Sequence, residues 1–334
     1  MTPLSTQQVA SPALVHSSDE IPTETPSTAI PTIALTVISY NDLENGNPES
    51  LLRLKAALKI DGIIGVSTIP EYSAKVTSFV EAIRLFSAKP EETKQLVAAD
   101  DGKIFGYELG KEQFFRNNQW IVDDSKHSYY ALVPDTSENK WPDHTDLKTP
   151  FQAIATLMSD VGSMMMDRMG LLNSTTLADH SMGRMLHYSK SSDSETNNPY
   201  WCGDHYDHGL FTGLLPAYYF RGLNEVEEPA ESGIFVRPHA SSTFKKVVAD
   251  KSVLLFQVGE FAQLCTNDAI HATEHRVVKA GGDIERFTLA LFFSPPLDAA
   301  ITSTSTLATD LRYGENTQCS FWQWHTASLN RYRA

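Results

Sequence analysis

The sequence predicts a mainly β chain with flanking helices, its strands folded as a sandwich or jelly roll rather than as a parallel sheet. Three observations carry the prediction. From residue 183 to residue 295 the chain breaks into seven or eight short β-rich stretches separated by turn residues, within roughly 110 residues. Upstream, apolar residues recur at three-to-four spacing, the period of a helix with one buried face. Several strand candidates are apolar on both faces, as expected where helices cover one side of a sheet.

The 334 residues, 41% of them hydrophobic, suffice for a substantial core, and one large β-rich domain with helical additions is consistent with that length. Residues 1–30 are rich in Ser, Thr and Pro and lack periodic apolar positions, the composition of a disordered leader. A first strand is expected in Pro31-Thr-Ile-Ala-Leu-Thr-Val-Ile38. Two helices follow, one on Leu51, Leu52, Leu54, Ala57 and Leu58, the other on Val76, Phe79, Val80, Ile83 and Phe86. Between them Gly62-Ile-Ile-Gly-Val66 reads as a buried strand. A third helix is expected to start with Thr149 as its cap and Pro150 at its first position, and to run to about Leu172. Its Met158, Met164, Met165, Met166 and Met169 read as pliable core, since a methionine stripe at helical spacing far more often packs than binds a cofactor.

The strand candidates are then 185–188, 210–215, 233–237, 253–258, 261–264, 275–278 and 286–293. After Pro295-Pro296 a Ser/Thr-rich linker leads to residues 316–333, read as a helix packing back on the body. The expected organisation is a leader at 1–30, a mixed helical and strand region at 31–175, a jelly-roll core at 176–297, and a linker with a carboxy-terminal helix at 298–334.

A formal net charge of -14 speaks against a nucleic-acid partner, because none of the 27 basic residues forms the clustered run that phosphate binding needs. Cys202, Cys265 and Cys319 make neither a CxxC pair nor an even-numbered framework, which fits a reducing cytoplasm. The first Arg is Arg53 and the first Lys is Lys55, so the amino terminus lacks the basic start of a secretory signal. No apolar run approaches the roughly 20 residues needed to span a bilayer. The expectation is a cytoplasmic monomer acting on a small molecule, without nucleic acid or membrane.

His205-Tyr206-Asp207 places an imidazole and a carboxylate two residues apart, and in a strand alternation turns both to one face. With a distant histidine this makes three protein ligands on one side of a metal, leaving the opposite positions open. That arrangement is diagnostic of non-haem iron(II) oxygenases. The pair alone is a weak signal, since any long protein holds several at this spacing. Alternation turns His208 to the other face, where a polar or packing role is expected.

His271 and His275 compete for the third position and share a face in either strand or helix. The residues downstream separate them. His275-Arg-Val-Val278 runs through Ala280-Gly-Gly-Asp283 into Ile284 to Phe293, so His275 is expected on the first arm of a β-hairpin. The second arm carries Arg286 and Thr288 on one face, with Phe287 and Leu289 on the other. A guanidinium and a hydroxyl then converge on one carboxylate near the metal. The plainer reading is a surface Arg and a routine strand Thr. A buried Arg on an apolar strand needs a partner, and a bound carboxylate supplies one.

These residues resemble the 2-oxoglutarate and iron(II)-dependent dioxygenase superfamily, in the branch that includes isopenicillin N synthase and the plant flavonoid and hormone oxygenases. His205-Tyr-Asp-His-Gly-Leu-Phe-Thr212 is similar to the branch's HxDxGxxT stretch, and Gly233-Ile-Phe-Val-Arg237 to its Gly-Leu-Gln-Val-Arg strand. Asn267-Asp268 followed by His275-Arg-Val277 is similar to its distal-histidine segment, and Arg286-Phe-Thr288 stands where the family has Arg-x-Ser. Upstream, Pro31-Thr-Ile-Ala-Leu35 resembles the opening strand and Asp61-Gly-Ile-Ile-Gly-Val66 the Asp-Gly-Phe-Phe-x-Val segment. The resemblance covers roughly residues 31 to 297. The family's Arg-x-Asn-Tyr-Tyr stretch appears as Arg184-Met-Leu-His-Tyr188, which keeps the last Tyr and loses the Asn.

The resemblance implies a double-stranded β-helix (jelly-roll) core, iron(II) held by His205, Asp207 and His275, and 2-oxoglutarate held by Arg286 and Thr288 with Tyr188 assisting. It also implies dioxygen as oxidant, release of succinate and carbon dioxide, and oxidation of an unactivated C–H bond by hydroxylation, desaturation or ring closure. No catalytic residue is singled out beyond the metal centre. An oxidase of the same fold that does not use 2-oxoglutarate, like isopenicillin N synthase or the amino-cyclopropane oxidases, is the nearest rival. A catalytically silent jelly-roll binding protein and a zinc hydrolase with the same triad are more remote. Residues 126–130, 199–201 and 321–324 are candidates to line a substrate pocket, with packing the favoured role for their aromatics.

Overall fold

The computed structural model describes residues 30–100, 103–111, 113–116, 119–173, 175–189, 198–309 and 319–332. Apart from Ile30, the segment read as a leader lies outside them. The described helices are α1 (Tyr40–Glu44), α2 (Pro48–Ile60), α3 (Tyr72–Ser87), α4 (Glu91–Gln95), α5 (Lys148–Arg168), α6 (Glu260–Cys265) and α7 (Phe321–Tyr332). The strands are β1 (Val37–Ser39), β2 (Ile63–Ser67), β3 (Gly106–Leu109), β4 (Gln113–Arg116), β5 (Gln119–Val122), β6 (Lys126–Val133), β7 (Ser181–Tyr188) and β8 (Tyr200–His205). They continue with β9 (Phe211–Leu214), β10 (Tyr218–Arg221), β11 (Asn224–Val226), β12 (Gly233–Arg237), β13 (Lys245–Lys246), β14 (Leu254–Val258), β15 (Glu274–Val278) and β16 (Ile284–Phe293).

The strands form a large sheet, ordered β1-β2-β14-β9-β16-β7-β6-β3 with β10 and β11 joined through β16, a smaller one ordered β13-β12-β15-β8, and a separate β4–β5 pair. In the smaller sheet β8 is an edge strand, and its register with β15 is irregular beyond the His275–His205 pair. Helices α3 and α5 pack on the outer face of the large sheet. The strand β16 shows why its sequence is apolar throughout. Phe287, Leu289, Leu291 and Phe293 enter the core beneath those helices, while Arg286, Thr288, Ala290 and Phe292 line a cavity on the other face. Full burial of a side chain such as Phe293 is worth about 1.5–3 kcal/mol, so the outer face of this one strand contributes heavily to the fold.

The helices fall where periodicity puts them, with Leu54, Ala57, Leu58, Val76, Phe79, Val80, Ile83 and Phe86 buried, although Leu51 is only partly buried and Leu52, on the opposite side of its helix, is exposed. Met158, Met165 and Met166 are core, and Met164 and Met169 pack against it. The helix α5 begins at Lys148 rather than after a Thr149 cap, and Asp146 Oδ1 accepts from Thr149 N at 3.2 Å. The run from Pro31 to Ile38 is only partly strand: β1 covers its end, and Thr32 makes an isolated bridge to Lys246.

Two expectations are corrected. Residues 261–264, expected as a strand, lie in α6. A short apolar run does not distinguish the two, and here Gly259 caps a helical turn that buries Phe261, Ala262 and Leu264 together. The β15–β16 hairpin does not exist. The strand β15 pairs with β12 and β8, whereas β16 pairs with β7, β9 and β10, so the Ala280–Asp283 stretch carries the chain from one sheet to the other. Successive strands of a jelly roll alternate between its sheets, and a hairpin-like turn sequence does not reveal that. The three cysteines are free, and among the described residues no helix is long and apolar enough to cross a membrane.

Gly162 on α5 has no room for a side chain, since a Cβ there would lie 2.3 Å from Cζ of Phe293. Helix propensity alone favours Gly162→Ala by about 1 kcal/mol, yet overpacking a full core costs typically about 1–3 kcal/mol. Gly162→Ala is therefore expected to lower the denaturation midpoint, and adding Phe293→Leu to recover part of the loss. Additive effects in that double-mutant cycle would remove the proposed contact.

Candidate metal centre

Strand pairing brings the two histidines together. His205 ends β8 and His275 lies near the start of β15, where they are direct cross-strand partners with ring centroids 4.0 Å apart. Asp207 is placed differently from the expectation, because β8 ends at His205 and strand alternation no longer applies. Its loop is strapped to the start of α6. Glu260 N donates to Asp207 O at 2.8 Å, Gly259 N to Leu210 O at 2.9 Å and Phe261 N to Gly209 O at 3.0 Å. The crossing requires two glycines: a Cβ on Gly259 would sit 2.2 Å from Gly209 O, and one on Gly209 2.5 Å from Phe293 O.

One ligand atom each from His205, Asp207 and His275 lies within 4.8 Å of the others. His205 Nε2 is 3.8 Å from Asp207 Oδ1, and His275 Nε2 is 3.9 Å from Asp207 Oδ2. Donors at about 2.1 Å from one ion are at most about 4.2 Å apart, so the His205 Nε2–Asp207 Oδ1 pair suits a shared cation. The donor chemistry fits as well. His205 Nδ1 meets Gly203 O at 2.8 Å and His275 Nδ1 meets Thr273 O at 3.0 Å. A carbonyl can only accept, so each Nδ1 carries the proton and each Nε2 is left to face the site. Thr212 Oγ1 and Gln257 Nε2 both donate to Asp207 Oδ2 at 2.5 Å, which leaves Oδ1 for a metal.

The electrostatics agree with a cation site. Burial pushes His275 down to about 4, and His205 acts in the same direction, so this imidazole is neutral at pH 7. Burial raises Asp207, but His275, His205 and the Thr212 and Gln257 hydrogen bonds outweigh it and hold the carboxyl below its ordinary range. His205 is raised to about 9, burial being outweighed by Cys202 and Asp207. A metal entering at neutral pH therefore displaces a proton there.

These groups open on a cavity of about 980 Å³ that Tyr188, Arg286 and Thr288 also line. Arg286 is buried, donates from Nε to Tyr219 OH at 3.3 Å and lies 5.3 Å from the centre of the Tyr188 ring. Among the described residues no carboxylate forms an ion pair with it. Thr288 Oγ1 donates to Leu215 O at 2.7 Å, so serving a bound carboxylate as a donor would exchange that bond. Arg286 and Thr288 share a face, as alternation requires, although they stand across the cavity from His275 and not across a hairpin.

His271 is elsewhere, stacked on His239 with centroids 3.4 Å apart. His208 does line the cavity, beside Asp207, and its Nδ1 is 3.0 Å from His325 Nδ1. Of the aromatic candidates, Trp201 stacks on Tyr188 and Trp324 is fully buried, while Phe321 and Tyr130 border the cavity. Residues 126–130 are strand β6 rather than loop, and Lys126 Nζ lies 3.6 Å from Cys202 Sγ. Sequence reasoning missed Gln257 altogether. Its signal was available: it is the single polar residue of Leu254-Leu-Phe-Gln-Val258, the kind of anomaly that drew notice to Arg286.

No protein-family model matches the chain, and no curated protein matches it. Solved structures do. A full-length Neurospora crassa protein in complex with alpha-KG superposes with a TM-score of 0.69 at 19% identity, covering 92% of this chain and 98% of that one. A putative 2OG-Fe(II) oxygenase family protein from Caulobacter crescentus gives 0.69 at 19% identity over 90% and 100%. JOX2 in complex with 2OG, Fe and JA gives 0.66 at 17% identity over 93% and 88%. The chain shares their fold, mainly β with flanking helices around a double-stranded β-helix core.

His275→Ala is expected to abolish divalent-metal binding in calorimetric titration, and His271→Ala to leave it intact. The opposite pattern would show that the wrong histidine has been placed at the centre.

Proposed function

We propose that this chain is a non-haem iron(II), 2-oxoglutarate-dependent oxygenase that oxidises an unactivated C–H bond of a small-molecule metabolite by hydroxylation, desaturation or ring closure. The observation that carries the reading is one cavity holding two kinds of site. On one wall stand two imidazoles and a carboxylate with their free donor atoms converging, and on the other a buried guanidinium without an ionic partner among the described residues. Tyr219, Tyr188 and the more distant Glu228 support the charge, but no carboxylate among the described residues contacts the guanidinium directly, and a ligand carboxylate would make that contact. Some solved structures of similar fold carry alpha-KG, one of them with thymine as well, which supports the same reading.

When bound, the iron and its cosubstrate supply the oxidising chemistry, with succinate and carbon dioxide as by-products. The chain's own residues bind and orient. His205, Asp207 and His275 would hold the metal from one side, and Thr212 keeps Asp207 turned so that one oxygen is free for it. Arg286 takes the distal carboxylate, with Thr288 and Tyr188 beside it. At about 980 Å³ the cavity stands at the upper end of ordinary small-molecule sites, about 300–1,000 Å³, so a second small molecule fits alongside the cosubstrate. The proposal includes the isopenicillin N synthase-like branch, a jelly-roll core at 176–297 preceded by the mixed region at 31–175, and a cytoplasmic monomer.

Anaerobic addition of iron(II) and 2-oxoglutarate should give a visible charge-transfer band, and turnover should release succinate. Absence of both with iron bound would instead assign the oxidase that dispenses with 2-oxoglutarate. Arg286→Ala is expected to raise the apparent 2-oxoglutarate requirement about tenfold to a hundredfold, the worth of a charged hydrogen bond. Indifference to that change would defeat the cosubstrate assignment.

A further inference from the structure

Antiparallel pairing sets three residues in one row across the large sheet, with Lys126 on β6 opposite Tyr188 on β7 and Tyr188 opposite Arg286 on β16. Lys126 and Arg286 are each 6% exposed, and all three side chains line the cavity. Adjacent strands are about 4.8 Å apart, so two buried cations flank one phenol with their backbones roughly 10 Å apart. Burial raises Tyr188, and the Lys126 charge opposes that more strongly than the Arg286 charge does.

The two cations address different walls. Arg286 donates to Tyr219 on its own sheet. Lys126 reaches across to the smaller sheet, where its Nζ is 3.6 Å from Cys202 Sγ, and that sulfur is 3.7 Å from Nδ1 and 3.9 Å from Nε2 of His205. Cys202 is there because of a bulge. Between the His275–His205 and Val277–Cys202 pairs β15 advances two residues and β8 three, so the extra residue brings Cys202 and His205 to one face instead of opposite faces. The ammonium therefore stands one side chain away from the metal centre. Arg184, a third cation on the cavity face, turns elsewhere: its Nε and Nη2 donate to Ser128 Oγ at 3.0 and 2.7 Å, and its guanidinium lies 4.9 Å from the centre of the Tyr130 ring.

We propose that Lys126 is a cosubstrate-binding residue, its ammonium taking the carboxylate beside the metal while Arg286 takes the one at the far end. The proposal rests on the 2-oxoglutarate reading above and deepens it. A 2-oxo acid offers a divalent cation neighbouring oxo and carboxylate oxygens, and the carboxylate keeps lone pairs for a second partner. Arg286 alone reads one end of a dicarboxylate. Lys126 makes recognition two-ended, and as a compact point charge it meets a carboxylate without the planar match that a guanidinium demands.

The test saturates the full chain with cobalt(II) in place of iron and titrates two acids by calorimetry. One is 2-oxoglutarate, and the other is 2-oxopentanoate, which has the same 2-oxo acid end but no far carboxylate. Lys126→Met is expected to weaken both about 10–100-fold, the worth of one charge-assisted hydrogen bond. Arg286→Ala is expected to weaken 2-oxoglutarate and to leave 2-oxopentanoate within about twofold of the parent. If Lys126→Met weakens 2-oxoglutarate alone, the ammonium serves the far carboxylate, and if it weakens neither acid, Lys126 has no cosubstrate role; either result overturns the proposal. A crystal structure of the cobalt-loaded parent with 2-oxoglutarate reads the same contact without any variant. Lys126 Nζ should lie about 2.7–2.9 Å from an oxygen of the carboxylate next to the 2-oxo group, and a separation beyond about 4 Å would overturn the assignment. A parent that binds cobalt but neither acid would instead defeat the 2-oxoglutarate reading, and this proposal with it.

Discussion

Two-sidedness in β16 is the constraint on which the rest of the molecule depends. Each alternate residue of that strand is committed to the helix-covered core, and those between are committed to the cavity. A one-residue slip in its pairing with β7 or β9 would turn Arg286 and Thr288 into the packed interior and expel Phe287 and Leu289 from it. Burial energy on the outer face thus fixes the address of the polar groups on the inner face. The smaller sheet carries little core of its own and presents His205 and His275 toward that same floor. Fold and site are consequently one arrangement.

Much of this was legible in the residues because it follows from periodicity. Three-to-four spacing located α2, α3 and α5, and alternation assigned Arg286 and Thr288 to one face and Phe287 and Leu289 to the other. Where the sequence misled, a local pattern had two physical solutions. Phe261 to Leu264 is as good a helix turn as a strand, and the neighbouring Gly259 settles it only through a crossing with Gly209 that no linear reading reveals. The turn after Val278 has hairpin chemistry but joins two sheets. Asp207 is at the site although its strand has ended, because three backbone bonds from Gly259, Glu260 and Phe261 fasten its loop. Alternation along one strand is therefore an incomplete reason for a pairing that the loop completes.

The polar groups around the centre show how few residues are needed once the backbone is used. Gly203 and Thr273 contribute carbonyl oxygens only, yet those oxygens decide which imidazole nitrogen keeps its proton. Gly203 has open space where a side chain would stand, whereas Thr273 is buried and its hydroxyl donates to Gly62 O, tying its segment to the turn before β2. Thr212 and Gln257 act through side chains, and they are correspondingly sensitive to substitution. Thr212 falls inside a recognisable motif, whereas Gln257 arrives from a strand that motif comparison treats as filler.

The position of β8 at the rim of the smaller sheet has a mechanical meaning. An outermost strand has hydrogen-bonded neighbours on one side only, and this one loses regular pairing with β15 shortly after the two histidines face each other. Such margins are where sheets fray first. An ion held between His205 on the rim and His275 on the next strand would act there as a rivet, binding the margin only when it is closed. By mass action an occupied centre would then suppress fraying of the strand that carries His205, which would make loss of the ion and loosening of that rim coupled parts of one equilibrium.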